Sequence, residues 1–280
     1  MDRNKIRMIG LDLDGTVFND AKIITPHTKE VLAEAIRQGV VVLPATGRPE
    51  CGLPEEFLKI PGVKYAVTSN GARVIEVPTG KTVYRQMIPC DVAVRLIRLV
   101  RQWENCAWEV YFDGQIFVEE GEYRFLNHPD MTPALKEYMY RSRVPYKNLF
   151  HEIVQKSIDL EKMHMVFEDT DHRNRRITEI REQFPELEVS NATTFNIEIN
   201  SIKAGKGTGL LELGKILGIS REEIMACGDA TNDWNMLKAA GFPVVMANAD
   251  EETKKLAAFV TRSNEEDGVA YAIEKFVLKK

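Results

Sequence analysis

The sequence lacks the features that mark several classes of protein. It has no apolar run long enough to span a bilayer, no basic block and no Cys-x-x-Cys pair, and its four cysteines are scattered. Its five histidines show no metal-ligand spacing. A net charge of −5 argues against nucleic acid or an anionic membrane as a partner. These absences predict a cytoplasmic protein with reduced thiols and without a disulfide or zinc framework.

A short apolar run near the start of the chain ends in two aspartates. Residues 6–11 predict a strand buried on both faces, and Asp12 and Asp14 follow it within the sequence Asp-Leu-Asp-Gly-Thr. Carboxylates at the carboxyl end of such a strand lie where α/β sheets bind ligands. Two carboxylates so close together repel each other, and a cation between them would relieve that repulsion. The alternatives are a surface turn and a calcium loop, and the calcium loop lacks its further oxygen ligands and its distal glutamate.

The next segments alternate between strand and helix. Thr25 and Pro26 are typical of a helix start, and a second apolar strand at 40–43 runs into Thr46, Gly47 and Arg48, which form either an anion site or a structural loop. A third strand is predicted at 65–68. It is followed by Asn70 and Gly71, which form either part of a site or only a turn. This alternation predicts a parallel α/β sheet.

The pattern changes at about residue 83 and changes back at about residue 190. Between these positions the strand-like and helical runs indicate an α+β segment, inserted between the two parts of an α/β core at 1–82 and 190–280. A strand at 195–199 is predicted to return to the core, and a helix is predicted to begin near Lys206 and end at Gly218. The loop before this helix resembles a phosphate-binding P-loop only superficially, because the required first glycine is absent.

Another buried strand, at 224–227, ends in a polar stretch that opens a helix. This stretch, Gly-Asp-Ala-Thr-Asn-Asp at 228–233, contains Asp229, Asn232 and Asp233. Two carboxylates and an amide within six residues at the end of a strand are difficult to explain by packing. The simpler alternative is a helix cap rich in aspartate and asparagine.

In order and content, these stretches resemble the four motifs of the haloacid dehalogenase superfamily of phosphotransferases. Asp-Leu-Asp-Gly-Thr is similar to the first motif, Thr46 to the second, Lys206 to the third, and the stretch at 228–233 to the fourth. The details around residues 45–48 and 69–72 resemble the Cof-type branch, in which an α+β cap lies between the second and third motifs. The resemblance covers the whole chain. It implies a Rossmann-like parallel-sheet core with a smaller cap that determines substrate specificity.

The resemblance implies a catalytic role for each acidic residue of the motifs. Asp12 would attack phosphorus and become an aspartyl-phosphate, and Asp14 would serve as general acid and then as general base. Mg²⁺ would be held by the carboxylates of Asp12 and Asp229 and by the backbone carbonyl of Asp14. Asp233 would bind a metal water or orient Lys206.

The remaining motif residues would contact the substrate. The phosphoryl oxygens would be held by Thr46, the Gly47 N–H, Lys206 and Asn232. Arg48, Asn70 and Gly71 are candidates that would face the rest of the substrate. The implied substrate is a small phosphate ester, such as a sugar phosphate or a cofactor phosphate like FMN or pyridoxal phosphate.

Two other functions remain open from the sequence. One is a sugar-phosphate mutase, for which Arg141, Arg143 and Lys147 in the insert could supply a second phosphate clamp. The other is a catalytically silent binding protein, against which the intact Asp12 and Asp14 argue. The protein is expected to be a monomer or a weak homodimer.

Overall fold

The computed structural model describes residues 6–120, 131–191 and 193–279. The chain divides into two compact units. The first unit consists of Met1–Gly47, Leu53–Arg85 and Gly205–Lys280, and the second of Arg48–Gly52 and Gln86–Ala204. Along the described residues, no helix combines the length and apolar character needed to cross a membrane.

The secondary structure alternates along the first part of the chain, as the sequence predicts. The strands are β1 (Met8–Leu11), β2 (Val41–Pro44), β3 (Tyr65–Thr68), β4 (Arg73–Glu76), β5 (Lys81–Arg85), β6 (Cys106–Phe112), β7 (Gln115–Glu119), β8 (Arg143–Tyr146), β9 (Lys162–Phe167), β10 (Leu187–Ser190), β11 (Asn196–Ser201), β12 (Ile224–Gly228), β13 (Phe242–Val245) and β14 (Phe259–Val260). The helices are α1 (Pro26–Arg37), α2 (Glu55–Leu58), α3 (Cys90–Val100), α4 (Pro133–Ser142), α5 (Leu149–Lys156), α6 (Thr170–Gln183), α7 (Lys206–Leu217), α8 (Trp234–Ala239), α9 (Glu251–Lys254) and α10 (Gly268–Ile273).

A five-stranded parallel sheet forms the centre of the first unit. Its strand order is β14-β13-β12-β1-β2, and every neighbouring pair is parallel. Ile9 and Leu11 pack into one hydrophobic cluster, whereas Met8 packs into another. Both faces of β1 are therefore covered, which explains why its sequence is continuously apolar instead of alternating. The predicted α/β fold class is confirmed.

Two predicted helix boundaries in this unit have the expected local chemistry. The Oγ1 of Thr25 accepts the N–H of Thr28 at 3.0 Å, and Pro26 begins α1. α7 begins at Lys206 and ends before Gly218, which has the left-handed φ of 64° that favours glycine after a helix. Lys206 is thereby fixed in the first turn of a helix.

The strand at 65–68 exists, but it lies in a different sheet from the one predicted. β3 is the edge of an antiparallel sheet, β3-β4-β5, and meets β2 through an isolated parallel bridge between Ala45 and Val67. The reason is the turn after it. Ser69, Asn70 and Gly71 all have positive φ, so the chain folds back into a hairpin with β4. The Asn-Gly pair is therefore a turn.

The second unit is built on a six-stranded sheet with the order β10-β11-β9-β6-β7-β8, in which all pairs except β7–β8 are antiparallel. One face of the sheet packs against apolar side chains of α3, α5 and α6. β11 pairs with β9 and β10 in this sheet, whereas the sequence analysis placed residues 190–204 with the core. That this unit is a specificity-determining cap stays a prediction.

Candidate active site

Asp12 lies at the carboxyl end of β1 and is buried. Its backbone N–H donates to the carbonyl oxygen of Cys227 in β12 at 3.0 Å, which continues the pairing of the two strands by one residue. Its carboxylate Oδ1 accepts a hydrogen bond from Lys206 Nζ at 2.5 Å. The side chain is 9% exposed, so this ion pair is almost fully removed from water.

Lys206 links Asp12 to Asp233. Its Nζ also donates to Asp233 Oδ1 at 2.7 Å, and the side chains of Lys206 and Asp233 are 2% and 0% exposed. The helix that carries Lys206 approaches α8 closely at Gly207, where a Cβ atom would lie 2.4 Å from the Asn235 carbonyl oxygen. Asn235 Oδ1 also accepts the Gly207 N–H at 2.9 Å. The first turn of α7 is thus fixed by contacts that only a glycine permits.

Asp233 serves the turn after β12 as well as the lysine. Its Oδ2 accepts the backbone N–H groups of Asp229 at 3.0 Å and Ala230 at 3.3 Å. This is the cap that the simpler interpretation of the stretch proposes. Because Oδ1 binds Lys206 at the same time, the cap and the charged site are one structure.

Asp229 is held on the other side of the site by the first motif. Thr16 Oγ1 donates to Asp229 Oδ1 at 2.7 Å. Gly15 has a φ of +83°, and a Cβ there would lie 2.5 Å from Asp229 Oδ2. The chain after Asp14 therefore needs glycine both for its backbone conformation and for the close approach of this carboxylate.

The three buried or half-buried acids form a cluster in which negative charge exceeds positive charge. Carboxylate oxygens of Asp12, Asp229 and Asp233 lie within 4.8 Å of one another. Desolvation, and then the charge of Asp233, raise the pKa of Asp12 to about 7, although Lys206 opposes this shift. Desolvation is also the main cause that raises the pKa of Asp229 to about 6. The pKa of Lys206 lies above its ordinary value because the charges of Asp12 and Asp233 outweigh the desolvation that would lower it.

Such a cluster fits a hard divalent cation. One lysine faces three carboxylates, and burial disfavours the ionised forms of Asp12 and Asp229 in the absence of another positive charge. Oxygen ligands are those that Mg²⁺ prefers. The carboxylate of Asp233 already binds Lys206 and two backbone N–H groups, whereas Asp12 and Asp229 are the more suitable cation ligands.

Asp14 differs from the other acids of the motifs because it is exposed. Its Oδ1 accepts a hydrogen bond from Lys22 Nζ at 2.9 Å, and the two side chains are 45% and 63% exposed. Its carboxylate is not part of the cluster formed by Asp12, Asp229 and Asp233. Two aspartates separated by one residue therefore have very different environments.

The second motif lies beside the first one in the sheet. Leu11 of β1 is in register with Pro44 of β2, and Thr46 follows two residues later as a buried side chain. The Thr46 N–H donates to the Val67 carbonyl at 2.9 Å, and the Thr46 carbonyl accepts the Asn70 N–H at 3.0 Å. These bonds connect the loop after β2 to the hairpin turn.

The hairpin turn also reaches the third motif. A Cβ on Gly71 would lie 2.0 Å from the Gly205 carbonyl oxygen and 2.8 Å from the Lys206 backbone nitrogen. Asn70 and Gly71 are thus brought to the start of α7, and Asn70 is also bonded to Thr46 of the second motif. Their predicted contact with substrate stays a prediction.

The other predicted substrate residues have more varied positions. Gly47 closes the first segment of the first unit, whereas Arg48 belongs to the second unit, with its guanidinium carbon 5.6 Å from the centroid of the Tyr138 ring. Asn232 is exposed in the turn before α8. Their contacts with substrate stay a prediction.

Two residues that shape the site were missed by the sequence analysis. Thr16 binds Asp229, and Asn235 binds the first turn of α7. Thr16 stands inside the first motif, and Asn235 stands two residues after the last acid of the fourth. The signal that the sequence offered was the position of each polar residue inside or next to a motif. The hydrogen-bond partner of each residue, however, lies far away in the sequence.

Arg143 was considered for a second phosphate clamp, but it already forms an ion pair with Glu109 of the same unit. Its Nε and Nη2 donate to the two carboxylate oxygens of Glu109 at 2.8 and 2.6 Å, and both side chains are buried. The charge of Glu109 raises the pKa of Arg143 in spite of desolvation, which would lower it. Arg141 is exposed, and its Nη1 lies 3.9 Å from Glu137 Oε1.

Comparison with known proteins extends over nearly the whole chain. Residues 9–273 match the sequence profile of the haloacid dehalogenase-like hydrolases. The chain is 30% identical over 275 residues to the 5-amino-6-(5-phospho-D-ribitylamino)uracil phosphatase YcsE of Bacillus subtilis (strain 168), which covers 98% of this chain and 96% of that protein. It is 31% identical over 278 residues to the putative phosphatase YxeH of the same strain, and the match covers 98% of this chain and 99% of that protein.

The structural comparison agrees with the sequence comparison. A solved structure of a haloacid dehalogenase-like hydrolase from B. subtilis superimposes with a TM-score of 0.81 at 27% identity, covering 96% of this chain and 99% of that one.

An acidic cluster around a buried lysine, at the carboxyl edge of a parallel sheet, defines an α/β enzyme site. The chain belongs to the haloacid dehalogenase-like hydrolase family. Its relatives within the family are named phosphatases, and phosphatase is the enzyme class of this chain. The predicted family and enzyme class are confirmed.

The double role of Asp233 generates a stability prediction. In Asp233→Asn one oxygen is replaced by an NH₂ group, which cannot accept a bond from Lys206 or from a backbone N–H. We expect the metal-free protein to lose about 1–3 kcal/mol of unfolding free energy in urea, because a buried polar group is left unsatisfied. The control is Asp250→Asn at the exposed start of α9, where the carboxylate accepts the Thr253 N–H at 2.7 Å. Equal losses in the two variants would contradict the linking role of Asp233.

Proposed function

We propose that the protein is a Mg²⁺-dependent phosphatase that hydrolyses a small phosphorylated metabolite through an aspartyl-phosphate on Asp12. The observation that carries this proposal is the cluster of Asp12, Asp229 and Asp233 around the Lys206 ammonium. A phosphate ester brings further negative charge, and only a site with cations can accept it beside a carboxylate nucleophile. A catalytically silent binding protein would gain nothing from a buried charged cluster whose desolvation costs so much free energy.

The first half of the reaction forms the covalent intermediate. A carboxylate oxygen of Asp12 attacks phosphorus, and the bond between phosphorus and the ester oxygen breaks with its electron pair moving to that oxygen. Asp14 donates a proton to the departing oxygen, so that an alcohol leaves instead of an alkoxide. The exposure of Asp14 suits this role, because its carboxyl group is accessible to a substrate that arrives from solvent.

The second half returns the enzyme to its starting state. Asp14, which has just lost its proton, removes one from a water molecule, and that water attacks the phosphorus of the aspartyl-phosphate. The bond between phosphorus and Asp12 breaks, and inorganic phosphate and a free carboxylate result. Lys206 and Asn232, with Thr46 and the Gly47 N–H, would hold the phosphoryl oxygens in both halves.

The cation has a defined place in this proposal. Asp12 and Asp229 would hold it through their carboxylates and Asp14 through its backbone carbonyl, while Asp233 orients Lys206. When bound, Mg²⁺ supplies positive charge that shields the attacking carboxylate from the phosphate and stabilises charge in the transition state. Thr16 keeps Asp229 aimed at this position by its 2.7 Å hydrogen bond.

The proposed substrate is a phosphate ester of a sugar, a sugar alcohol or a cofactor. The motif residues would contact only the phosphoryl group, cation and water, which all monoesters share, so the insert at 83–189 is proposed to choose among leaving groups. The 30% identical relative is named for a ribitylaminouracil phosphate, and such a ribityl phosphate is the first compound to test. A mutase is less favoured, because Arg143 is already paired with Glu109.

The setting of the enzyme is inferred from the composition and charge of the sequence. We propose that it acts in the cytoplasm as a monomer or weak homodimer, on small molecules and without nucleic acid or membrane partners.

The covalent step predicts the effects of two conservative substitutions. Asp12→Asn removes the anionic nucleophile but keeps its shape, and we expect phosphate release to fall by about 10⁴-fold or more while circular dichroism stays unchanged. Asp14→Asn should accumulate phospho-enzyme from p-nitrophenyl phosphate, because its nitrophenolate leaves without an acid whereas hydrolysis of the intermediate still needs the base. Activity of Asp12→Asn near that of the parent would exclude covalent catalysis at this residue.

The raised carboxyl pKa values predict how Mg²⁺ binding depends on pH. Asp12 and Asp229 titrate at about 7 and about 6 in the folded protein, against 3.8 ordinarily. Their protonated forms stabilise the fold below about pH 4, and this stabilisation is lost as the pH rises through 6 and 7. We therefore expect Mg²⁺ to raise the Tm more at pH 8 than at pH 5, because the cation binds the ionised carboxylates. The control is Asp229→Asn, in which this difference should shrink. An equal Tm shift at both pH values would contradict the proposed ligands.

The substrate is tested with a panel of phosphate esters in the presence of Mg²⁺. The panel contains sugar 5-phosphates and 6-phosphates, the ribitylaminouracil phosphate, FMN and pyridoxal phosphate. We expect the highest kcat/KM for an ester of a primary alcohol on a polyol chain. Formation of a phosphate isomer without free phosphate would instead support the mutase.

A further inference from the structure

The loop after Asp14 is fixed by two asparagines that belong to none of the four motifs. The loop closes on itself, because the Leu13 carbonyl accepts the N–H groups of Val17 at 3.0 Å and Phe18 at 2.9 Å. It ends in a second turn, in which the Asn19 N–H donates to the Ile23 carbonyl at 3.1 Å. Its own hydrogen bonds therefore set its shape, and contacts from elsewhere must set its position.

Asn264 supplies the first of these contacts. Its side chain is buried, and Nδ2 donates to the Phe18 carbonyl at 3.2 Å and to Asp20 Oδ1 at 3.1 Å. The next residue, Glu265, accepts the Asp20 N–H at 2.6 Å. The far side of the loop is thus bound by two consecutive residues near the carboxyl end of the chain.

Asn248 supplies the second contact, much closer to Asp14. Its Nδ2 donates to the carbonyl of Gly15 at 2.9 Å, and its Oδ1 accepts the Asn264 N–H at 3.1 Å. The two asparagines are therefore coupled to each other as well as to the loop. We call Asn248 and Asn264 the asparagine brace.

The brace is itself held in place by local structure. Ser263 and Glu266 form a capping box in the short helical turn that carries Asn264. The Ala247 N–H donates to the Arg262 carbonyl at 3.2 Å, which joins the two segments that carry the asparagines. A side chain fixed in this way can transmit a position to the loop.

We infer that Asn248 and Asn264 are positioning residues for Asp14. On one side of Asp14 the backbone is fixed by the bond from the Asp12 N–H to Cys227, and on the other by the bond from Asn248 to the Gly15 carbonyl. The carboxyl group between these points stays about half exposed. The brace thus holds the backbone of the proposed acid and base, while its carboxyl group lies at the surface and pairs with Lys22.

This inference rests on the proposed role of Asp14, and it predicts a particular kinetic signature. Loss of acid catalysis harms esters with a poor leaving group far more than aryl esters whose leaving group needs no proton. kcat/KM covers the steps up to the first irreversible one, which here is the formation of the aspartyl-phosphate. A displaced Asp14 should therefore lower kcat/KM for an alkyl phosphate selectively, whereas general structural damage should lower it for both esters.

The experiment compares glycerol 1-phosphate with p-nitrophenyl phosphate in the full-length, Mg²⁺-loaded enzyme. We expect Asn248→Ala and Asn264→Ala to lose at least about tenfold more kcat/KM for the alkyl ester than for the aryl ester. Asn248 is exposed, so its variant remains informative if the loss of the buried Asn264 prevents folding. A burst of nitrophenol before the steady state should accompany the loss, because the same residue activates the water.

Two reference variants make the outcome decisive. Thr261→Val removes a buried hydrogen bond to the Gly268 carbonyl in the same part of the chain without touching the loop, and it should leave the ratio of the two esters unchanged. Asp14→Asn should show the largest change in that ratio, and if it shows none, the proposed acid role is wrong. If Asp14→Asn changes the ratio but both brace variants lower the two values equally, the inference is overturned while the proposed function stands.

Discussion

The first unit depends on one buried cation, the Lys206 ammonium between the carboxylates of Asp12 and Asp233. All three side chains are 9% exposed or less, and a buried charge costs several kcal/mol unless it is paired and hydrogen-bonded. The three groups must therefore meet in every folded molecule. Neighbouring strands β1 and β12 bring the two acids together, and the glycine contact of α7 with α8 brings the lysine.

A buried cluster of this kind is a poor way to gain stability, which points to chemistry as the reason for it. The environments of the first two aspartates support this view. Asp12 is desolvated and held by a lysine, whereas Asp14 is about half exposed and pairs with a surface lysine. Two carboxyl groups of the same type, set apart by their surroundings, can act as nucleophile and as proton carrier in one reaction.

The sequence predicted the features whose causes are local. The buried strand before Asp12 and the helix that begins at Lys206 each follow from neighbouring residues, and the turn at Asn70 and Gly71 is one of two interpretations that its sequence left open. Which sheet a short apolar strand joins depends on distant partners. The sequence analysis therefore placed β3 in the parallel sheet, whereas it lies in the sheet β3-β4-β5, and it assigned β11 to the core, whereas it pairs in the six-stranded sheet of the second unit. The partners of Thr16, Asn248 and Asn264 are equally distant, and no local pattern distinguishes such asparagines from those of an ordinary loop.

The charged residues of the second unit show why composition does not reveal a binding site. Asn196 Oδ1 accepts the Thr193 N–H at 2.9 Å, and Asn196 Nδ2 lies 3.0 Å from His164 Nε2; the other ring nitrogen, Nδ1, faces a carboxylate. That nitrogen is 2.8 Å from Glu109, which also binds Arg143 through two bonds. Desolvation would raise the pKa of Glu109, but Arg143 and His164 lower it below its ordinary value. The arginine that was considered for a second phosphate clamp is thus already neutralised by a carboxylate of its own unit, and the selectivity proposed for this unit would rest on other side chains.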